Sequence, residues 1–153
     1  MFNVVLVEPE IPPNTGSVAR LCLATGSTLH LVKPLGFSTD DRYLRRAGMD
    51  YWPQVRLRYW ESLAQFLDET ASADGRYFLT TKVTRPYWET RYHPEDFLVF
   101  GRETKGLPET LLKAQPERCL KIPMRPEARS LNLATAVAIV LFEAVRQTQP
   151  CDF

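Results

Sequence analysis

The sequence has few of the residues that build metal centres or disulfide frameworks. Its 153 residues include three cysteines and two histidines, and Cys22, Cys119 and Cys151 lie far apart along the chain. A scattered, odd-numbered set of cysteines is typical of reduced thiols in a cytoplasmic protein rather than of a disulfide framework. No histidine or cysteine spacing matches a zinc site, so we expect no bound metal.

Long hydrophobic runs and an excess of charge of one sign are also missing. The most apolar stretch, residues 131–145, would form a helix of about 22 Å, whereas a bilayer core is about 30 Å thick. The opening MFNVVLVEPE has no basic leader and too short an apolar run for a signal peptide. Lysine plus arginine number 19 and aspartate plus glutamate 18, so a nucleic-acid surface must be a local patch. We expect a cytoplasmic protein without a membrane partner.

Three common nucleotide-binding and hydrolase motifs are absent. The segment GRETKG (101–106) has a glycine at each end, but Leu107 stands where a Walker A loop carries its lysine. No predicted strand is followed by G-x-G-x-x-G, and Ser130 does not lie in a nucleophile elbow. These absences argue against phosphate-loop, Rossmann-dinucleotide and serine-hydrolase chemistry.

What the sequence does contain is an alternation of short β-branched runs with helical patterns. The predicted strands are 3–7, 29–32, 55–59, 77–81, 97–100 and 119–122. The predicted helices are 15–25, 61–69 and 133–146, with shorter ones at 40–46 and 108–114. This alternation predicts one α/β domain over residues 1–153, with a parallel β-sheet and helices on both faces.

Three segments with unusual chemistry follow predicted strands: EPEIPPNTG after the first, GRETKG after the fifth and PMRPEARSLN after the sixth. In a parallel sheet all three emerge at the carboxyl edge, where ligands bind. The two glycines of GRETKG indicate a backbone conformation or a close approach that a side chain would forbid. A ligand site is therefore predicted at this edge.

The last predicted helix, 133–146, is apolar almost all the way round. Such a helix is usually covered on more than one side. It is either a central core helix of a monomer or a helix that the sheet covers on one side and a second copy of the chain on the other. We favour the homodimer.

The motifs NTGSVAR (14–20), LVFGRETKGLP (98–108) and IPMRPEARSLNLATAVAI (122–139) contain the cores N-x-x-x-x-x-R, G-x-E-x-x-G-L and S-x-N, in that order. Together they resemble the three motifs of the SPOUT family of S-adenosylmethionine-dependent RNA methyltransferases. EPEIPPNTG and DDRYLRRAGMDYW are similar to the small enzymes of that family that 2′-O-methylate the wobble nucleotide (cytidine or uridine 34) of leucine tRNAs. The resemblance implies a C-terminal deep trefoil knot, an obligate homodimer and a tRNA anticodon arm as the partner.

The resemblance also implies where S-adenosylmethionine binds, largely through main-chain atoms. The implied cofactor residues are Leu79, Thr80, Gly101, Ile122, Met124, Ser130 and Leu131. Leu79 and Ile122 also suit plain core packing, and a residue that binds through its backbone can serve both purposes.

The catalytic residues implied by the family are Asn14, Arg20, Glu103, Ser130 and Asn132. The family proposes Arg20 as the base, yet a guanidinium is always protonated, so fixing a phosphate and stabilising negative charge is the easier role to defend. Asn14 is alternatively a helix N-cap, and Asn132 a cap of the last helix. Glu103 is either a solvated loop acid or a residue that orients the site and contacts Arg20 or a ligand amine.

Several arginines are candidates for RNA binding. Arg42, Arg45 and Arg46 share a short predicted helix that grips phosphates or is simply solvated. Arg125 and Arg129 flank the predicted pocket, and Arg20 is the candidate for fixing a substrate phosphate. The segment TRPYWETRYHP (84–94) interleaves arginines with aromatic residues, which suits either stacking on unpaired bases or packing on the sheet.

The sequence therefore predicts a tRNA wobble 2′-O-methyltransferase. Methylation of another tRNA position or of rRNA is one alternative, and an RNA-binding module that holds the cofactor without turnover is another.

Overall fold

A computed structural model describes residues 1–40, 42 and 50–148. In this described part of the chain, six strands form one sheet with the order β3-β2-β1-β5-β4-β6, and all the pairings between them are parallel. The strands are β1 (Asn3–Val7), β2 (Thr28–Val32), β3 (Arg56–Trp60), β4 (Arg76–Leu79), β5 (Phe97–Phe100) and β6 (Cys119–Leu120). The predicted α/β class with a parallel sheet is confirmed.

Within the described residues, four α-helices connect or follow these strands. They are α1 (Pro12–Thr25), α2 (Leu63–Glu69), α3 (Glu109–Ala114) and α4 (Leu133–Thr148). Short 3-10 turns occur at Trp52–Gln54, Tyr87–Glu89, Pro116–Arg118 and Pro126–Ala128. None of the helices in the described part of the chain has the length and apolarity to cross a membrane.

The strands other than β3 bury both faces, so each of them contributes alternate residues to two cores. Val4 and Leu6 of β1 face the core that contains α1 and α4. Val5 and Val7 face the opposite core, where Phe66 of α2 and the two leucines of α3 pack. Helices on both faces thus hold the sheet in place, as the sequence predicted.

Several predicted boundaries need correction. Helix α1 begins at Pro12 rather than Thr15, because proline is tolerated in the first turn of a helix, where its missing N–H needs no partner. Strand β6 ends at Leu120 and β4 at Leu79, because the residues that follow turn into the loops of the site. The predicted helix 40–46 lies largely outside the described residues, and the trefoil knot stays a prediction.

Candidate active site

A cavity of about 490 Å³ opens at the carboxyl edge of the sheet, beside the point where the strand order reverses between β1 and its neighbour β5. Ligands of open α/β sheets bind at such a reversal. The lining comes from the ends of β4 and β5 and from the loops that contain the three motifs: Ile11, Asn14, Leu79, Thr80, Thr81, Lys82, Phe100, Gly101, Arg102, Glu103, Thr104, Lys105, Gly106, Leu107, Ile122, Met124, Ser130, Leu131, Asn132, Leu133 and Ala136. All seven predicted cofactor residues are among them.

The glycines of GRETKG are required by the way this loop closes on itself. Arg102 and Gly106 exchange two backbone hydrogen bonds of 3.3 and 3.0 Å, so the chain folds back directly over Gly101. A Cβ atom on Gly101 would lie 2.2 Å from the carbonyl carbon of Gly106 and 2.3 Å from the Leu107 nitrogen. Gly106 has a φ of +66°, a conformation that side chains disfavour. The close approach predicted from the glycines is therefore made by the loop itself.

Two carboxylates fasten this loop to the segment that follows β1. Arg102 donates from Nε and Nη2 to one oxygen of Glu8, at 3.0 and 2.7 Å. Thr104 donates from its hydroxyl and its peptide N–H to Glu10, at 2.7 and 3.2 Å. These hydrogen bonds lower the pKa of Glu10 below its ordinary value, the Thr104 hydroxyl contributing most. The cavity wall is thus held at two points along the loop.

Glu103 supplies the missing cap of helix α1. The N-cap residue Ile11 has no side chain that can accept a hydrogen bond, and the two prolines that follow it have no N–H to satisfy. The Glu103 carboxylate accepts from the peptide N–H of Glu10 at 2.9 Å and of Ile11 at 3.1 Å. A carboxylate is also favoured by the positive end of the helix dipole. Glu103 is thus not a solvated loop acid but orients neighbouring groups of the site, and Arg20 is not among its described contacts.

A chain of side-chain hydrogen bonds runs from Glu103 to helix α4. Asn14 Nδ2 lies 3.5 Å from Glu103 Oε1, and Asn14 Oδ1 accepts from Asn132 Nδ2 at 2.9 Å. Asn132 Oδ1 in turn accepts from the Thr135 N–H at 3.2 Å. Each bond fixes the amide orientation of the next residue, so both asparagines are held with defined donors. Asn132 caps α4, as predicted, and also contacts Asn14. The alternative of an N-cap role for Asn14 does not hold, because that residue lies inside α1 and Ile11 is the N-cap.

Ser130 is presented by a strained turn. Its N–H donates to the Ala128 carbonyl at 2.7 Å, which leaves Arg129 between them with φ 59° and ψ −62°. A non-glycine residue in this γ-turn geometry is uncommon, and such strain persists only where the surroundings impose it. The turn directs the chain from the Pro126–Ala128 segment into the cavity wall at Ser130 and Leu131.

A family model described as the SpoU rRNA Methylase family matches residues 1–142 of this chain. The chain belongs to the SpoU methylase family. The tRNA (cytidine(34)-2′-O)-methyltransferase of Burkholderia pseudomallei is 49% identical over 149 residues, which cover 96% of each protein. The corresponding Yersinia pestis protein is 47% identical over 152 residues, covering 96% of this chain and 94% of that protein.

Solved structures give the same result for the fold. A protein studied for the 2-OH methylation of C/U34 on tRNA superposes with a TM-score of 0.88 at 44% identity, covering 96% of this chain and 95% of that one. An AdoMet-bound rRNA methyltransferase from Sinorhizobium meliloti superposes with a TM-score of 0.80 at 26% identity, covering 95% of this chain and 56% of that one. The sheet and helices described above are thus those of SpoU methyltransferases.

In this SpoU methylase, Arg20 lies apart from the other predicted catalytic residues. Its side chain is exposed on α1, and its guanidinium lies 5.9 Å from the ring centre of Tyr51. The Tyr51 hydroxyl donates to the Gly16 carbonyl at 2.6 Å, which anchors the aromatic ring beside the helix. Arg20 does not line the cavity of its own chain, whereas Asn14, Glu103, Ser130 and Asn132 do.

The predicted RNA-binding arginines are placed unevenly. Arg125 and Arg129 are exposed on the loop between the cavity residues Met124 and Ser130. Arg42 is exposed as well, whereas Arg45 and Arg46 lie outside the described residues.

Sequence reasoning missed Thr81 and Lys82, which line the cavity just beyond β4. Lys82 forms a salt bridge of 3.0 Å with Glu109 at the start of α3. Their position at and just beyond the carboxyl end of a predicted strand was the available signal. No set of three potential metal ligands occurs within residues 1–40, 42 and 50–148.

Proposed function

We propose that this chain transfers a methyl group from S-adenosylmethionine to the 2′-hydroxyl of nucleotide 34 in the anticodon arm of leucine tRNAs, in the cytoplasm. The observation that carries the proposal is that the three motif segments, separated by more than 70 and by 13 residues in the sequence, line one cavity. The names of relatives that are nearly half identical over almost the whole chain support nucleotide 34 of tRNA as the methylated position.

The residues of the cavity fit the proposed cofactor. Leu79, Ile122 and Leu131 offer apolar surface for a purine ring, and the GRETKG loop offers peptide groups for its polar edge. The volume of about 490 Å³ lies within the range of small-molecule sites. Bound S-adenosylmethionine would supply an electrophilic methyl group on a sulfonium.

The polar residues of the cavity would position the accepting hydroxyl. Asn14 and Asn132 each keep one amide N–H beyond those used in the Glu103–Asn14–Asn132 chain. Together with the Ser130 hydroxyl, these donors can hold the ribose in near-attack geometry, which alone is worth several kcal/mol of the barrier. Both Glu103 oxygens already accept hydrogen bonds from protein donors, so we assign Glu103 to positioning rather than to proton removal.

A homodimer accounts for the uncovered apolar surface. Phe142 on α4 is 45% exposed and Leu23 on α1 is 38% exposed, and both helices pack on the same face of the sheet. Arg20 lies three residues before Leu23 and shares its side of α1. A second copy covering this surface would place Arg20 at the subunit boundary, where it can approach the partner's cavity and stabilise negative charge on the reacting oxygen.

The test is the Arg20→Ala variant. We expect it to bind S-adenosylhomocysteine as the wild type does in calorimetry, because Arg20 is outside the cavity of its own chain, and to lose tritium-methyl transfer to tRNA. Arg56→Ala, which removes an exposed arginine on β3, is the matched control and should retain activity. Full methyl transfer by Arg20→Ala would contradict the role assigned to Arg20.

The target nucleotide is tested separately. Mass spectrometry of nuclease-digested tRNA from cells lacking the gene should show the loss of one ribose methyl at position 34. Loss at another tRNA position or in rRNA would favour the first alternative. An unchanged methyl inventory, together with cofactor binding, would favour an RNA-binding module without turnover.

A further inference from the structure

Residues 84–94, here called the Trp88 loop, present an aromatic side chain to solvent at the β6 edge of the sheet. Trp88 is 52% exposed, a larger fraction than for the other large apolar side chains that the structure describes. Tyr92 of the same loop is only 2% exposed and packs edge-on against Tyr77 of β4. One aromatic residue therefore anchors the loop, while another is left outside.

The loop is held by backbone and side-chain hydrogen bonds on both sides of Trp88. The Lys121 N–H donates to Arg85 O at 2.9 Å and the Tyr87 N–H donates to Lys121 O at 2.8 Å, so residues 85–87 extend the sheet beyond β6. The Tyr92 hydroxyl donates to Tyr87 O at 2.7 Å. Trp88 is thus displayed on a fixed backbone, which lowers the entropy cost of binding to it.

Helix α4 supports the far end of the loop. The Gln147 side chain accepts from the Tyr92 N–H at 2.9 Å and donates to Thr90 O at 3.0 Å. These bonds fasten residues 90–92 to the body of the protein. The exposure of Trp88 is therefore a property of a braced loop.

Cationic residues flank Trp88 along the loop. Arg85 and Arg91 are exposed in the loop itself, and Lys121 is its backbone partner. Arg85 keeps its guanidinium close to the sheet edge by donating to Glu117 O at 3.0 Å. Glu89 is the acidic exposed residue between the two arginines, so the loop keeps a net positive charge. Aromatic faces flanked by cations are the chemistry that binds single-stranded nucleic acid.

The loop is also close to the cavity. Lys121 directly precedes Ile122, which lines the cavity, and Tyr87 is bonded to Lys121. Trp88 follows Tyr87 and Ile122 follows Lys121 in the chain. The length of one residue on each side of the hydrogen bond therefore limits the distance between the Cα atoms of Trp88 and Ile122 to roughly 15 Å. A few nucleotides of single strand bridge that distance.

We propose that Trp88, flanked by Arg85 and Arg91, is a stacking platform for an unpaired base of the RNA whose neighbouring nucleotide is methylated in the cavity. The inference rests on the proposed function, because the ligand is the same RNA. It adds a contact site outside the three motifs, and it decides between the two readings of TRPYWETRYHP: the tyrosines pack on the protein and the tryptophan faces the RNA.

Intrinsic fluorescence isolates this contact. Trp52 and Trp60 are buried, with 7% and 5% of their surface exposed, so Trp88 is the tryptophan that acrylamide reaches. Titration of the wild type with an anticodon stem-loop RNA should quench the emission and protect it from acrylamide. Trp88→Phe should lose that signal but still bind the RNA, because phenylalanine retains a face for stacking.

Affinity measures the strength of the platform. Loss of one base–aromatic stack in Trp88→Ala should raise the dissociation constant for the stem-loop about tenfold, with binding of S-adenosylhomocysteine unchanged. Tyr59→Ala is the matched control, because it removes an exposed aromatic residue, 41% accessible, from β3 at the opposite edge of the sheet. It should bind RNA as the wild type does.

Three results would overturn the proposal. The first is wild-type protein whose fluorescence does not respond to bound RNA. The second is a Trp88→Ala variant that binds RNA with the affinity of the wild type. The third is dissociation of a dimer by Trp88→Ala in sedimentation, which would place Trp88 between two copies. If the wild type methylates tRNA and Trp88→Ala binds it equally well, only the platform is refuted. If the wild type methylates no tRNA, the proposed function is refuted instead.

Discussion

Replacement of Glu103 by alanine should destabilise the protein through helix α1 as well as impair its activity. The variant leaves the peptide N–H groups of Glu10 and Ile11 without their acceptor, and Asn14 without its nearest partner on that side. Loss of a helix cap typically costs about 1 kcal/mol, and hydrogen bonds to a charged acceptor cost about 1.5–3 kcal/mol each. Because Glu103 is only half-buried, we expect about 3 kcal/mol in total.

For a chain of this length, 3 kcal/mol corresponds to a fall of about 10 °C in the unfolding midpoint. Thermal unfolding followed by circular dichroism measures the shift. Glu127→Ala, an exposed glutamate of the loop before Ser130, is the control and should unfold within about 2 °C of the wild type. Glu103→Gln keeps one acceptor oxygen, so its unfolding temperature should lie between those of the wild type and Glu103→Ala.

Activity at a temperature far below unfolding separates positioning from proton removal. If Glu103 positions Asn14, stability and methyl transfer should fall in the same order, from wild type through Glu103→Gln to Glu103→Ala. Unfolding of Glu103→Ala at the wild-type temperature would refute the capping role. A Glu103→Gln variant with wild-type stability but no activity would instead identify the carboxylate as a base.

Four further predictions concern the loops and the core. Gly101→Ala should open the GRETKG loop and reduce S-adenosylhomocysteine affinity more than tenfold in calorimetry, since its Cβ would overlap backbone 2.2 Å away. Gly106→Ala has open space around its Cβ and should lose only about 1 kcal/mol of stability for its positive φ. Burial, and then the charge of Arg58, lowers the pKa of His30 to about 4. About 3 kcal/mol of stability that is present above pH 6.5 should therefore be lost as the pH falls towards 4. Urea unfolding at several pH values measures this loss, and the same pH dependence in His30→Gln would contradict the prediction. Arg129→Gly should unfold at or above the wild-type temperature, because relief of the backbone strain at Arg129 offsets the greater freedom of glycine in the unfolded chain. Marked destabilisation would refute the strain.

The parts of the fold that follow from local patterns were predicted well from the sequence. The apolar runs 3–7 and 97–100 coincide with β1 and β5, because a strand buried on both faces has no polar interruption. Parallel strands have their carboxyl ends at the same edge of the sheet. The three loops could therefore be placed at one edge because each of them follows a predicted strand. Helix α4 was equally clear from its apolar length.

The roles that depend on distant partners could not be predicted. Helix α1 is capped by a residue 92 positions away in the sequence, where Glu103 meets Ile11, and no local signal marks such a cap. The prolines before Asn14 led to the prediction of a loop at these positions, although they occupy the first turn of the helix. The loop-to-loop bonds of Glu8 and Glu10 likewise depend on β1 and β5 being neighbours in space.

A crystal structure of the protein with S-adenosylhomocysteine tests the central claim most directly. The account predicts the ligand in the cavity among Leu79, Gly101, Ile122 and Leu131, in contact with backbone of all three motif segments. A ligand bound anywhere else on the protein, with this cavity unchanged and empty beside it, would contradict the account.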